Sequence, residues 1–169
     1  SAPSPTQPRI QSSIYRARDA GNKPRSHDYG IPVRAGSKPE NSGSSLMLIQ
    51  GPLSLDWNKR KYGMFPRLEN SEISAVNPAS PARMRQWITQ HIHVSGRPEW
   101  VFVKVHTHGC VESNGRLFLE GKEKGSMPEF YRQILEEYGR KQCKVHFASA
   151  REMHNIILAA EDGKNGNAG

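Results

Sequence analysis

Cysteine, aromatic residues, acidic charge and long apolar runs are all scarce in this chain, and each shortage closes off a class of protein. Two cysteines in 169 residues, Cys110 and Cys143, supply neither a disulfide framework nor the paired spacing of a zinc ribbon. Each adjoins a strand-like segment, where Cys packs as a small hydrophobe, so two free thiols are expected. No apolar run is long enough to form a membrane-spanning helix, and no basic, apolar, small-residue leader opens the sequence, so a soluble chain is expected. With 35% hydrophobic and 8% aromatic residues the core has to be lean. The first residues, Ser1-Ala2-Pro3-Ser4-Pro5-Thr6-Gln7-Pro8, read as the cut end of a longer polypeptide.

Acid is outnumbered, with 16 Asp plus Glu against 24 Lys plus Arg and a net charge of +8. The excess sits in residues 1–100, which hold 14 basic and 7 acidic residues, whereas residues 101–169 hold 10 and 9. Arg16, Arg18, Lys23, Arg25, Arg34, Lys38 and the Lys59-Arg60-Lys61 run would neutralise phosphates if they shared a face. No recognition helix or aromatic RNA-binding signature accompanies them. Nucleic acid is therefore not the expected partner, and a solvated surface or affinity for an anionic polysaccharide is. A Gly-rich phosphate loop, a Ser-nucleophile elbow and a Cys-x-x-Cys pair are also missing.

What is present alternates. Residues 1–45 form a loop-rich basic segment in which only Ser13-Ile14-Tyr15 looks strand-like. Leu46-Met47-Leu48-Ile49-Gln50, stopped by Gly51-Pro52, suits a buried strand. Ser80-Pro81 then opens a helix with Met84, Trp87, Ile88, His91 and Ile92 on one stripe, ending near Gly96-Arg97-Pro98. Trp100 to His106 is the strongest strand pattern, apolar enough for burial on both faces. Ser126-Met127-Pro128-Glu129 reads as a capping box before a helix carrying Phe130, Ile134, Leu135 and Tyr138, with Gly139 as its stop. Lys144 to Ala148 reads as a strand, and Ser149-Ala150-Arg151-Glu152 as a second capping box before a helix with Met153, Ile156, Ile157 and Ala160 inward. Residues 46–162 are thus expected as one α/β domain, a partial or distorted (β/α) barrel with mainly parallel strands, and residues 163–169 as a disordered tail.

In such folds ligands gather at the carboxyl ends of the strands. Along the Trp100–His106 pattern, Val101, Val103 and Val105 share one face, and Phe102, Lys104, His106 and His108 share the other. Imidazoles two residues apart at a strand end suit either a metal or general acid–base work, and equally a pair of hydrogen-bonded surface histidines. His91 and His93 differ, because two residues on a helix diverge by about 200°; His91 is expected buried and His93 solvated, both structural. His146 is placed facing the same lumen as His106. In Ser26-His27-Asp28-Tyr29-Gly30, the His27 and Asp28 side chains suit contact with a polyhydroxylated substrate, or simply a turn. Asp56 and Trp57, a carboxylate beside an aromatic platform, suit sugar recognition, or a turn beside a packing Trp.

Residues 100–109 (Trp-Val-Phe-Val-Lys-Val-His-Thr-His-Gly) and 144–153 (Lys-Val-His-Phe-Ala-Ser-Ala-Arg-Glu-Met) together resemble the C-terminal half of bacterial polysaccharide deacetylase-like proteins, in the NodB-like carbohydrate esterase superfamily. Ser1 to Pro8, Lys23 to Asp28 and Leu48 to Leu55 resemble the same group, so the likeness spans most of residues 1–162. It implies a distorted (β/α) barrel in which a divalent metal, zinc or similar, activates water to remove an N- or O-acetyl group from a sugar. His106 then matches the family's leaving-group acid, with His108 as an additional or substitute site residue; Lys104, Asp56, Trp57, His27 and Asp28, singled out by their own chemistry, are the expected substrate contacts. Acetylated polysaccharide is the implied partner, together with an upstream N-terminal half, in the bacterial cytoplasm or cell envelope. The family's paired Asp and its two metal-binding His three or four residues apart are not found in this chain. Two other readings stand beside the deacetylase: a non-catalytic carbohydrate-binding or assembly module, and a metallohydrolase in which His106 and His108 are themselves ligands.

Overall fold

The computed structural model describes residues 11–18, 29–37, 46–108, 111–119, 126–141 and 143–165. His27, Asp28 and Cys110 lie outside the described residues; Cys143 is a free, exposed thiol. The elements are β1 (Ile14–Arg18), β2 (Tyr29–Pro32), β3 (Met47–Ile49), β4 (Ser54–Lys61), β5 (Phe65–Glu69), α1 (Pro81–Ile88), α2 (Glu112–Leu119), α3 (Met127–Gly139) and α4 (Ala150–Glu161). They fall into two units. The first comprises residues 1–52, 91–102 and 148–169, and the second residues 53–90 and 103–147.

In the first unit β1 is the central strand of a three-stranded sheet in the order β2-β1-β3, and both pairings are antiparallel. Tyr15 pairs with Pro32 on one side and Leu48 on the other. The ring of Tyr15, fully buried, crosses the strand beside it so closely that a Cβ on Gly30 would lie 2.0 Å from Tyr15 Cδ2, which only glycine accommodates. Ile14, Val33, Ile92, Val94, Phe102, Ile157 and Ala160 form the core. The α4 helix opens with the reciprocal capping box expected: Ser149 Oγ accepts from Glu152 N, and Glu152 Oε2 accepts from Ser149 N at 2.7 Å. Its other end is tied to β1, where Arg16 donates through Nη2 and Nε to the buried Glu161 carboxylate at 2.5 and 3.2 Å.

The second unit joins the β4–β5 hairpin, α1, α2 and α3 around Ile73, Ala79, Trp87, Leu117, Met127, Phe130, Ile134 and Tyr138. Met127, Phe130, Ile134 and Tyr138 recur at helical spacing and are the buried stripe of α3. Burying an isoleucine such as Ile134 contributes about 1.5–3 kcal/mol, so a core this small depends on a few such positions. Beside it lies a buried ion pair. Arg83 Nη2 and Nε reach Glu69 Oε1 and Oε2 at 2.7 and 2.9 Å, with both side chains 4% exposed. The other Arg83 donors go to the carbonyls of Asn77 (2.7 Å), Pro78 (2.9 Å) and Glu72 (2.6 Å), so all five N–H groups are used. Glu69 Oε1 also accepts from Trp87 Nε1 (2.8 Å) and Ser71 N (2.9 Å).

These pairings overturn the mainly parallel barrel. Every strand pairing in a sheet is antiparallel, and no closed barrel exists among the described residues. The Trp100–His106 pattern forms no ladder: Phe102 N bonds Ile92 O and packs in the first unit's core, whereas Val103 packs against the second's. Its apolar character serves two cores in succession rather than two faces of a sheet. Lys144 to Ala148 likewise adopts no regular strand. With no parallel sheet there is no lumen for His146, which is exposed. Helix α1 stops at Ile88 because Ile92 is drawn into the first unit's core; His91 takes a left-handed φ of +48°. That leaves His91 exposed and His93 half-buried, the reverse of the helical expectation, with His93 Nδ1 2.5 Å from His91 O. The cap hydrogen bond expected from Ser126 is not made at the start of α3.

Glu69 supplies a stability prediction. Burial alone would raise its pKa, but the hydrogen bonds from Arg83 and Trp87 and the charge of Arg83 outweigh that and hold it below the ordinary carboxylate value. A folded-state pKa below the unfolded one gives stability that is complete above the unfolded value, about 4.3, and is lost as pH falls through the folded value. Glu69→Gln strands a buried guanidinium and is expected to cost about 3 kcal/mol at neutral pH in chemical denaturation. Below that range the difference from wild type should shrink; a gap that stays constant with pH would rule out the ion pair as its source.

Candidate metal centre

The sequence Glu69-Asn70-Ser71-Glu72-Ile73 leaves β5 in a turn that local preference does not favour. Ser71 is fully buried with a φ of +61°, a left-handed conformation uncommon outside glycine and asparagine. Its hydrogen bonds explain why it is held there. Ser71 N donates to Glu69 Oε1, Glu72 N donates to Asn70 Oδ1 at 3.2 Å, and Ser71 Oγ lies 2.8 Å from Lys104 O. Ile73 N donates to His106 O at 2.8 Å and His106 N to Ser71 O at 3.3 Å, which makes a parallel bridge between Glu72 and His106.

Bridged residues point their side chains to the same side, and a residue two further along an extended segment points there again. Glu72, His106 and His108 therefore converge, and one ligand atom from each lies within 4.8 Å of the others. Glu72 is half-buried and both histidines are exposed. The rings of His106 and His108 stand edge to face with centroids 6.1 Å apart. A second element anchors the far end: Asn114, buried on α2, donates from Nδ2 to His108 O at 2.9 Å and accepts from Ala75 N at 2.9 Å.

Two imidazoles and one carboxylate are a donor set for a borderline divalent cation such as zinc, with a coordination position left for water. Zinc ligands lie about 2.1 Å from the metal, hence about 3.4 Å from each other, so the three ligand atoms, all within 4.8 Å of one another, need to close by at most about 1.4 Å. The two imidazoles that would move are exposed. Although exposed, His106 has its pKa lowered, first by partial desolvation against the protein and then by the Lys104 and His108 charges, with an opposing pull from Glu72. A lowered value keeps the ring neutral at pH 7, the form that binds metal.

The other expected site residues are placed differently. Lys104 is exposed, near enough to act on His106 electrostatically, and its carbonyl is taken by Ser71. Asp56 is buried, and its Oδ1 accepts from Asn58 N at 2.9 Å in a local turn. Trp57 is exposed on the hairpin. Nothing in the sequence marks Glu72: it sits in no motif, and its relation to His106 exists only through a pairing across 34 positions. Comparison of the chain with protein-family models, with curated proteins and with solved structures gives no match to any of them.

Titration calorimetry with zinc or cobalt(II) is expected to give one equivalent bound, and Glu72→Gln, His106→Ala or His108→Ala to weaken it by at least about tenfold each. Asn114→Ala, which touches no ligand atom, should weaken it by a similar factor by releasing the His108 backbone. Unaltered affinity in all three ligand variants would refute the site.

Proposed function

We propose that this chain carries a divalent-metal hydrolytic centre acting on acetylated sugars, with Glu72, His106 and His108 as the metal-holding residues. The convergence of these three side chains is the observation that carries the reading. The substrate class rests on the resemblance of residues 100–109 and 144–153 to polysaccharide deacetylase-like proteins. A cation held there supplies Lewis-acid polarisation of an acyl oxygen and lowers the pKa of water beside it to near 7. Lys104, an exposed cation next to His106, is suited to steady the negative charge that develops on the acetyl oxygen.

Ligation suits His106 better than the leaving-group acid role that the resemblance implies. Its ring converges with Glu72 and His108 as one of three candidate ligands, and a ring nitrogen engaged by a cation has no proton to give. The two roles part experimentally. Acetate release from acetylated chito- and xylo-oligosaccharides, measured beside bound metal, is expected to vanish together with the metal in His106→Ala. Loss of acetate release with full metal occupancy would make His106 the acid instead. Glycan binding with a bound metal and no acetate release would replace hydrolysis with a carbohydrate-binding or assembly role.

A further inference from the structure

The β4–β5 hairpin brings together six exposed large hydrophobic residues, Leu55, Trp57, Tyr62, Met64, Phe65 and Leu68, and four exposed cations. Its strands pair in register from Ser54↔Glu69 to Lys61↔Phe65, with an irregularity between Asp56 and Arg60. The acidic side chains belong to its base, where Asp56 and Glu69 are buried. From Trp57 to Leu68 there is no acidic residue, and Lys59, Arg60, Lys61 and Arg67 are all exposed. None of the four forms an ion pair among the described residues; Lys59 Nζ meets Asn77 Oδ1, Arg60 Nε meets Trp57 O, and Lys61 Nζ lies 5.2 Å from the Tyr62 ring centroid.

The turn at the tip is apolar. Tyr62 and Gly63 take φ of +56° and +72°, the mirror-image turn that hairpins prefer, and Met64 N closes it onto Lys61 O. Asn or Gly suits the first of these positions far better than tyrosine, so backbone preference does not account for Tyr62. Tyr62, Met64 and Phe65 are 83%, 66% and 59% exposed, and Leu55, Trp57 and Leu68 more than half exposed behind them. An exposed tip of Tyr, Met and Phe flanked along the strands by four cations has the layout of an interfacial anchor, with apolar side chains entering the acyl boundary and cations meeting the headgroups.

We infer that the β4–β5 hairpin docks this protein on an anionic lipid surface, with Tyr62, Met64 and Phe65 inserted and Lys59, Arg60, Lys61 and Arg67 at the headgroup level. Charge complementarity selects the anionic surface. The exposed aliphatic residues Leu55, Met64 and Leu68 select lipid over nucleic acid or polysaccharide, whose stacking sites use flat rings rather than aliphatic chains. The inference is independent of the metal centre and of any acetyl chemistry.

Sedimentation with phosphatidylcholine vesicles, with and without phosphatidylglycerol, tests it on the intact chain. Binding is expected only with the anionic lipid, together with a blue shift of tryptophan emission that Trp57→Phe removes. Arg60→Gln with Lys61→Gln is expected to weaken partitioning by about fivefold per cation. Replacing Tyr62, Met64 and Phe65 together by Ser should abolish the emission shift and the binding that survives added salt, with far-ultraviolet circular dichroism unchanged because the tip is exposed. Three results would overturn the proposal: no preference for anionic over zwitterionic vesicles, binding to polyuridylate or heparin in place of vesicles and indifferent to the tip replacement, or self-association that the tip replacement removes without any vesicle binding.

Discussion

Taking the Glu69 carboxylate and the Arg83 guanidinium out of water costs several kcal/mol for each ion, and the second unit offsets that only because the pair is completely satisfied. Five guanidinium N–H groups find acceptors, and Glu69 Oε1 accepts from Arg83, Trp87 and Ser71 together. The pair thereby ties the end of β5, the first turns of α1 and the carbonyls of residues 72, 77 and 78 to one point. Trp87 belongs at once to this polar knot, through Nε1, and to the apolar core, through its edge-to-face contact with Phe130. In a chain with few aromatic residues, polar satisfaction does a share of the work that bulk apolar burial does elsewhere.

The same knot explains how an unfavourable turn persists. Ser71 holds a left-handed backbone because its N–H is bound to Glu69 and its hydroxyl and carbonyl are bound to the 104–106 segment. Strain of this kind, of order 1–3 kcal/mol, survives only where the surroundings over-determine it. Its effect is to set Glu72 beside His106. The candidate ligands themselves are exposed or half-buried, but the backbone beneath them is fixed from three directions, by Glu69, by Ser71 and by Asn114. Freedom of the side chains on a rigid base is what a site needs if it is to close on a cation without disturbing the fold.

Local pattern was legible wherever a single element sufficed. The capping box at Ser149, the apolar stripe of α3, the strand at Met47–Ile49 and the beginning of β1 follow from residues close together in the chain. Patterns that depend on a partner misled. Trp100 to His106 has the composition of a doubly covered strand, yet Trp100 and Phe102 pack on one core and Val103 on the other, and composition cannot distinguish the two kinds of burial. The histidine stripe at Trp87-Ile88-His91-Ile92 fits a longer helix, but burial of Ile92 in the first unit's core outweighs the hydrogen bonds the extra turn would have made. The β4–β5 hairpin is not legible in the sequence because its outward residues are apolar and its alternation is broken by the irregularity at Asp56–Arg60.

By itself, then, the sequence determined a basic chain with no long apolar run, the positions of its capped helices and the pairing of two imidazoles on one side of an extended segment, since these depend on spacing within a few residues. The strand directions, the division into two units and the third ligand were decided by tertiary structure. Antiparallel pairing arises from which segments meet, and Glu72 joins the histidines only because a buried ion pair bends the chain so that residue 72 lies against residue 106.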